Sequence, residues 1–157
     1  MLPPLLLMYP RSKTTNALLM KHSTTSEDVL DHLVNNAGIS GKPVTVENMR
    51  DVSEYTAVMD VNFWGAVNAT LFAIPHLKNS EGRIIVIASV CAWFPIPLIS
   101  IYNASKAAIT NFFETLRMES STAIGITIAT PGFYRVCFFW LFFAQVNEDG
   151  GLQGATS

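Results

Sequence analysis

Three short apolar runs that lack polar alternation, at 30–34, 83–89 (RIIVIAS) and 124–130 (IGITIAT), leave this chain few folds to choose from. A strand wetted on one face alternates in polarity, whereas a strand of a parallel sheet covered by helices reads as a nearly continuous apolar stretch. Between the first two runs, over 53–77, Val58, Val61, Trp64, Gly65, Ala69, Phe72 and Ala73 recur at steps of three and four, the period of a helix face. Ser53 is a fair N-cap for that helix, and Pro75 is expected to bend or stop it. Ser100 opens a second helix running to about residue 121. The order strand, helix, strand, helix, strand predicts parallel βαβ units with right-handed crossovers.

The flanks differ in texture. Residues 1–28 show no sustained period and read as a poorly ordered segment; 133–157 begins with FYRVCFFWLFFA and ends in a polar tail. The 29–132 stretch between them carries the fold. With 157 residues and 50% hydrophobic positions the chain can bury one core, but a charged fraction of 14% is well under the roughly 25% of an average domain. Such a chain is core-rich, lipid-associated or short of cover for its apolar surface. A net charge of -2 and the lack of a basic run argue against nucleic acid as a partner. Cys91 and Cys137 stand apart with no further ligand nearby, so buried thiols are expected and no metal site. The uninterrupted apolar runs 2–9 and 136–144 fall short of the ~20 residues that span a bilayer, and the start is a weak match to a signal peptide.

Chemistry concentrates at the ends of the strands. Tyr102 and Lys106 lie four apart on the second helix and share a face, while Ser89 ends the preceding strand, where open α/β sheets place their ligands. A phenol with an ordinary pKa of ~10 is a poor base at neutral pH, and a neighbouring ammonium favours its ionised form. Ser89 could hold a substrate oxygen beside it, or simply cap the strand end. The alternative for Tyr102 and Lys106 is a solvated pair on one surface.

Several motifs agree at once with one family. Asn35-Asn36-Ala37-Gly38, Asn62 in VNFWG, Ser89, Tyr102-Asn103-Ala104-Ser105-Lys106 and Pro131-Gly132 resemble the segments of the short-chain dehydrogenase/reductase family, with fitting spacings of 27 from Asn62 to Ser89 and 13 from Ser89 to Tyr102. Within it, DHLVNNAGIS and YNASKAAITNFFETLR look most like the plant 11β-hydroxysteroid dehydrogenase-like, or steroleosin, group. The resemblance implies an α/β, Rossmann-like three-layer sandwich. It implies Tyr102 as general acid/base, Lys106 lowering its pKa and holding the nicotinamide ribose, Ser89 polarising the substrate oxygen, and Asn62 holding a water linked to Lys106. Asn36, Ala37 and Gly38 would line the adenosine side of NADP or NAD, and Pro131 and Gly132 its other end. It also implies an apolar, steroid-like substrate, a homodimer, and a place on the endoplasmic reticulum or lipid droplets, with the cytosol the alternative.

The departures from the family are specific. No Thr-Gly-x-x-x-Gly-x-Gly occurs, and the first glycine is Gly38, so the turn that cradles a pyrophosphate at a helix N-terminus is missing. The expected object is therefore a truncated domain, a partial parallel sheet with its dinucleotide half lost. Its strand at 30–34, normally central, becomes an open edge. The loop residues Trp93, Phe94, Pro95, Ile96, Pro97 and Leu98 are expected at the pocket mouth. Two other readings stay open: a non-catalytic dimerising fragment, and a product that does not fold stably.

Overall fold

The computed structural model describes residues 5–7, 17–21, 30–120 and 124–132. Five strands, β1 (Leu5–Leu7), β2 (Ala17–Lys21), β3 (His32–Asn35), β4 (Arg83–Ile87) and β5 (Gly125–Ala129), form one sheet in the order of the chain. β3, β4 and β5 run parallel, with Leu33 opposite Ile84 and Val86 opposite Ile128. The βαβ order expected from the apolar runs is what the chain adopts.

The N-terminal flank supplies strands that bear on the edge expected of the first parallel strand. β1 and β2 stand in a stretch where the sequence shows no period, and β2 pairs antiparallel with β3, Leu18 opposite Val34 and Leu19 opposite Leu33. The strand foreseen as an open edge is thus covered. The reason lies in backbone chemistry: unpaired N–H and C=O groups of a central strand take any extended segment within reach, and ladder pairing needs no side-chain pattern. The reading of 133–157 lies outside the described residues.

The first crossover is one helical stretch in four parts: a 3-10 turn (Val52–Tyr55), α1 (Thr56–Met59), a π-helical turn (Asp60–Trp64) and α2 (Gly65–Ser80). Asp51, not Ser53, caps it, its carboxylate accepting from the Ser53 N–H at 2.8 Å and the Ser53 hydroxyl at 2.6 Å. Pro75 neither bends nor stops α2, which continues to Ser80. Pro75 and Leu71 are exposed, so the carbonyl that loses its partner to the proline ring faces water and the cost stays small. By length and composition this stretch could cross a membrane, yet Val58, Val67, Ala73 and Leu77 face the protein core.

α3 (Ser100–Glu119) forms the second crossover. Both helices meet the same side of the sheet, around Leu33, Ile84, Val86, Ala73, Leu77, Ile109 and Phe113. Alternate strand residues Val34, Ile85 and Ile87 on the other side are only half-buried. The described residues thus make up two adjacent layers of the expected α/β architecture. Phe113, with 0% exposure, is the largest side chain sealed between them.

Candidate active site

The parallel strands deliver three loops to the same end of the sheet. β3 runs into Asn36-Ala37-Gly38, β4 into Ala88-Ser89, and β5 into Pro131-Gly132, while the first turns of α3 bring Tyr102 and Lys106 alongside. Together these segments enclose a cleft of about 280 Å³ lined by Asn36, Gly38, Ile39, Ser40, Ile87, Ala88, Ser89, Tyr102, Lys106, Pro131 and Gly132. Carboxyl ends of parallel strands are where such sheets gather ligand groups.

Asn62 fastens this end of the molecule from behind. It is buried in the π-helical turn, and its carboxamide pairs with the backbone of Ile39 in both directions, Oδ1 accepting from N–H at 2.8 Å and Nδ2 donating to C=O at 2.9 Å. The second Nδ2 hydrogen reaches Ser105 Oγ at 2.9 Å. An α-helix widened by one residue turns a side chain that regular geometry would misdirect, and such widenings collect at functional sites. Asn62 does not itself border the cleft.

Lys106 is buried on α3, and its Nζ donates to the carbonyl oxygen of Ile87, the last residue of β4, at 2.9 Å. Gly38 leaves room for it: a Cβ there would sit 3.3 Å from Nζ and 3.5 Å from Asn62 Oδ1. Because that ammonium is held by Ile87, it has little room to retreat. Gly38→Ala is therefore expected to lower stability by about 1–3 kcal/mol in denaturant unfolding; an unchanged midpoint would show that Lys106 moves aside freely.

Burial pushes the Tyr102 phenol above its ordinary value of 10.0, a hydrogen bond with Ser89 opposing and the nearby Cys91 thiol adding to the rise. Burial also lowers the Lys106 ammonium, against a smaller upward effect of Cys91. Removal from water is the largest cause of the tyrosine's rise. The Lys106 ammonium lies 5.7 Å from the ring centroid and donates one hydrogen to Ile87. At neutral pH Tyr102 carries its proton. Ser89 does two things: its hydroxyl caps the short turn Val90–Ala92 by accepting from the Cys91 N–H at 3.2 Å, and it stands beside the phenol.

Of the expected residues, Asn36, Gly38, Ser89, Tyr102, Lys106, Pro131 and Gly132 share the cleft. Ala37 faces a small internal void with Asn35 and Asn62 instead. None of the residues from Trp93 to Leu98 lines the cleft, and Trp93 and Phe94 point into solvent at 64% and 71% exposure. The loop is turned outward where Asn103 Nδ2 holds Ile96 O at 2.8 Å and Val44 N–H holds Leu98 O at 2.8 Å. Ser105 was legible only as a letter of the Tyr-Asn-Ala-Ser-Lys motif; its contacts to other elements leave no trace in the sequence. Cys91 is a buried thiol, as expected; Cys137 lies outside the described residues.

A nicotinamide and its ribose fit the cleft in size and in donors, since the Lys106 ammonium and the Tyr102 hydroxyl both border it and Gly38 leaves the approach open. A pyrophosphate finds no glycine-rich turn, because no glycine precedes Gly38 and the flank of β3 is taken by the antiparallel β2. Among the described residues, those lining the cleft suit the nicotinamide end of a dinucleotide.

Comparisons with known proteins point the same way. Residues 11–140 match the family model described as short chain dehydrogenase. The chain is 57% identical over 104 residues to 11-beta-hydroxysteroid dehydrogenase A of Sesamum indicum, covering 66% of this chain and 30% of that protein. It is 52% identical over 104 residues to 11-beta-hydroxysteroid dehydrogenase-like 2 of Arabidopsis thaliana, covering 66% and 33%. The match therefore spans about a third of the length of these relatives. A crystal structure of NAD+-bound xylitol dehydrogenase superposes with a TM-score of 0.70 at 25% identity, over 80% of this chain and 48% of that one. With its parallel βαβ units and the cleft at their carboxyl ends, the chain belongs to the short chain dehydrogenase family.

Proposed function

We propose that this chain supplies the proton-transfer half of a nicotinamide-dependent oxidoreductase that interconverts a hydroxyl and a ketone on an apolar, steroid-like substrate. The observation that carries the reading is the convergence of Ser89, Tyr102 and Lys106 on one cleft. What supports the substrate class is the name of the plant relatives, hydroxysteroid dehydrogenases. What supports the cofactor class is a similar structure that holds NAD+.

When bound, the nicotinamide would supply hydride chemistry. Everything else belongs to the chain. Ser89 donates a hydrogen bond to the substrate oxygen, and Tyr102, protonated at neutral pH because burial raises its pKa, gives that oxygen its proton in the reducing direction. Lys106 would hold the ribose hydroxyls with the donors Ile87 leaves free. Asn62 keeps the loop of Gly38 and Ile39 in register with α3.

The test is reduction of an apolar cyclic ketone with excess NADPH by the purified chain, followed by loss of reduced cofactor. Turnover that survives Lys106→Ala undiminished would sink the reading. Without phosphate-binding glycines the chain is expected to hold NADPH no tighter than millimolar, on the order of -4 kcal/mol. Quenching of NADPH fluorescence measures this, and micromolar binding would mean that another segment rebuilds the site.

Two associations belong to the same proposal. Trp64, Leu71 and Phe72, exposed at 52%, 59% and 63% on the first helical stretch, support a homodimer through that face. A clean 17.3 kDa species in sedimentation at micromolar concentration would exclude it. The exposed Trp93 and Phe94, in a stretch with no charge between Arg83 and Lys106, support contact with a membrane or lipid droplet.

A further inference from the structure

Ser105 is wholly enclosed, at 0% exposure, between α3 and the π-helical turn. Its hydroxyl accepts from Asn62 Nδ2 at 2.9 Å and donates to the carbonyl oxygen of Tyr102, three residues back, at 2.7 Å. Since Asn62 gives its other hydrogen to Ile39, both of its donors are committed, and among the described residues the serine oxygen is the only acceptor for the second. A continuous run of bonds therefore leads from the Ile39 backbone through Asn62 and Ser105 to the Tyr102 backbone. A serine bonding back along its own helix competes with the regular ladder and tends to bend it. Here the bond falls in the turn that carries Tyr102 and immediately precedes Lys106.

We propose that Ser105 is a positioning residue, whose bonds to Asn62 and to the Tyr102 carbonyl set the turn of α3 that presents the Tyr102 phenol and the Lys106 ammonium to the cleft beside Ser89. The proposal rests on the reading of Tyr102 as the proton-transfer group. Lys106 is tied to β4 through Ile87, and the loop of Gly38 is tied to Asn62, so Ser105 is the link that gives both attachments a common frame. Alanine at 105 fills nearly the same space but leaves an Asn62 hydrogen without an acceptor in a dry site, and a buried donor without a partner drives local rearrangement. The phenol then gains water.

The experiment uses the full chain labelled with 13C at the tyrosine ring carbon bearing oxygen. The Tyr102 signal is identified by its loss in Tyr102→Phe and is followed through an alkaline titration. In Ser105→Ala the midpoint is expected to fall toward the ordinary tyrosine value by about half a pH unit, roughly a threefold change in the ionisation constant. Ser105→Thr, which keeps the hydroxyl, is expected to titrate as the parent does. A parent-like midpoint in Ser105→Ala, even with a lower melting temperature, would reduce the residue to filler and overturn the proposal. Should Ser105→Ala not fold, Ser105→Cys keeps a side chain of the same shape, slightly larger and with a weaker hydrogen-bonding group, and is expected to show a smaller fall; no fall there overturns the proposal as well. The titration reads the phenol and not turnover. Full activity in Tyr102→Phe beside a shifted midpoint in Ser105→Ala would therefore remove the proton-transfer reading while leaving the positioning intact.

Discussion

Tyr102→Phe is expected to lower ketone reduction by the ~10²–10⁴ that a positioned general acid supplies, with little change in folding, because the ring and its packing stay. The measurement is the initial rate of NADPH loss with an apolar ketone, parent against variant. Retention of most of the rate would remove Tyr102 from the chemistry. The same substitution has a second signature in stability. The folded value of the phenol lies above its unfolded one, so the neutral form stabilises the fold at all pH values below about 10, and that contribution is lost as pH rises through the raised folded value. The parent should therefore weaken in strong alkali more than Tyr102→Phe does. Lys106, shifted downward, acts in the opposite sense in both proteins and cancels in the comparison.

Phe113→Ala carries the largest expected effect on folding. Its ring lies at 0% exposure in the cluster of Leu33, Leu77, Ile84 and Ile109, where the two helices meet the sheet, and meets Phe112 edge to face at 5.2 Å. Deleting such a side chain removes buried area and leaves a cavity, at a cost of about 3–5 kcal/mol. A domain of this size has roughly 5–15 kcal/mol in total, so the variant should lose a fifth or more of its stability. Urea unfolding followed by circular dichroism measures it. A loss under about 1 kcal/mol would mean that the helices do not pack on the sheet as described.

Local signals in the chain were enough for the parallel core. The apolar runs at 30–34, 83–89 and 124–130 became β3, β4 and β5 with ends shifted by one or two residues, because a strand between helix and sheet neighbours must be apolar whatever else it does. The spacing of Tyr102 and Lys106 was equally readable, since four residues on a helix is a fixed geometry. The Asn-Asn-Ala-Gly, Asn62, Ser89 and Tyr-Asn-Ala-Ser-Lys segments carried the family resemblance in the residues themselves.

What the sequence could not hold was anything decided between distant segments. That β2 would pair antiparallel with β3 depends on backbone groups, which are the same in every residue. That Pro75 would sit harmlessly inside α2 depends on which side of the helix meets water. The outward loop of Trp93 and Phe94 follows from single hydrogen bonds to Asn103 and Val44, and the raised Tyr102 follows from how much water the assembled cleft excludes. Residue types and their spacing therefore determined which groups this protein has for chemistry, and the tertiary structure decided their protonation and company, because desolvation and hydrogen-bond partners exist only once the segments have met.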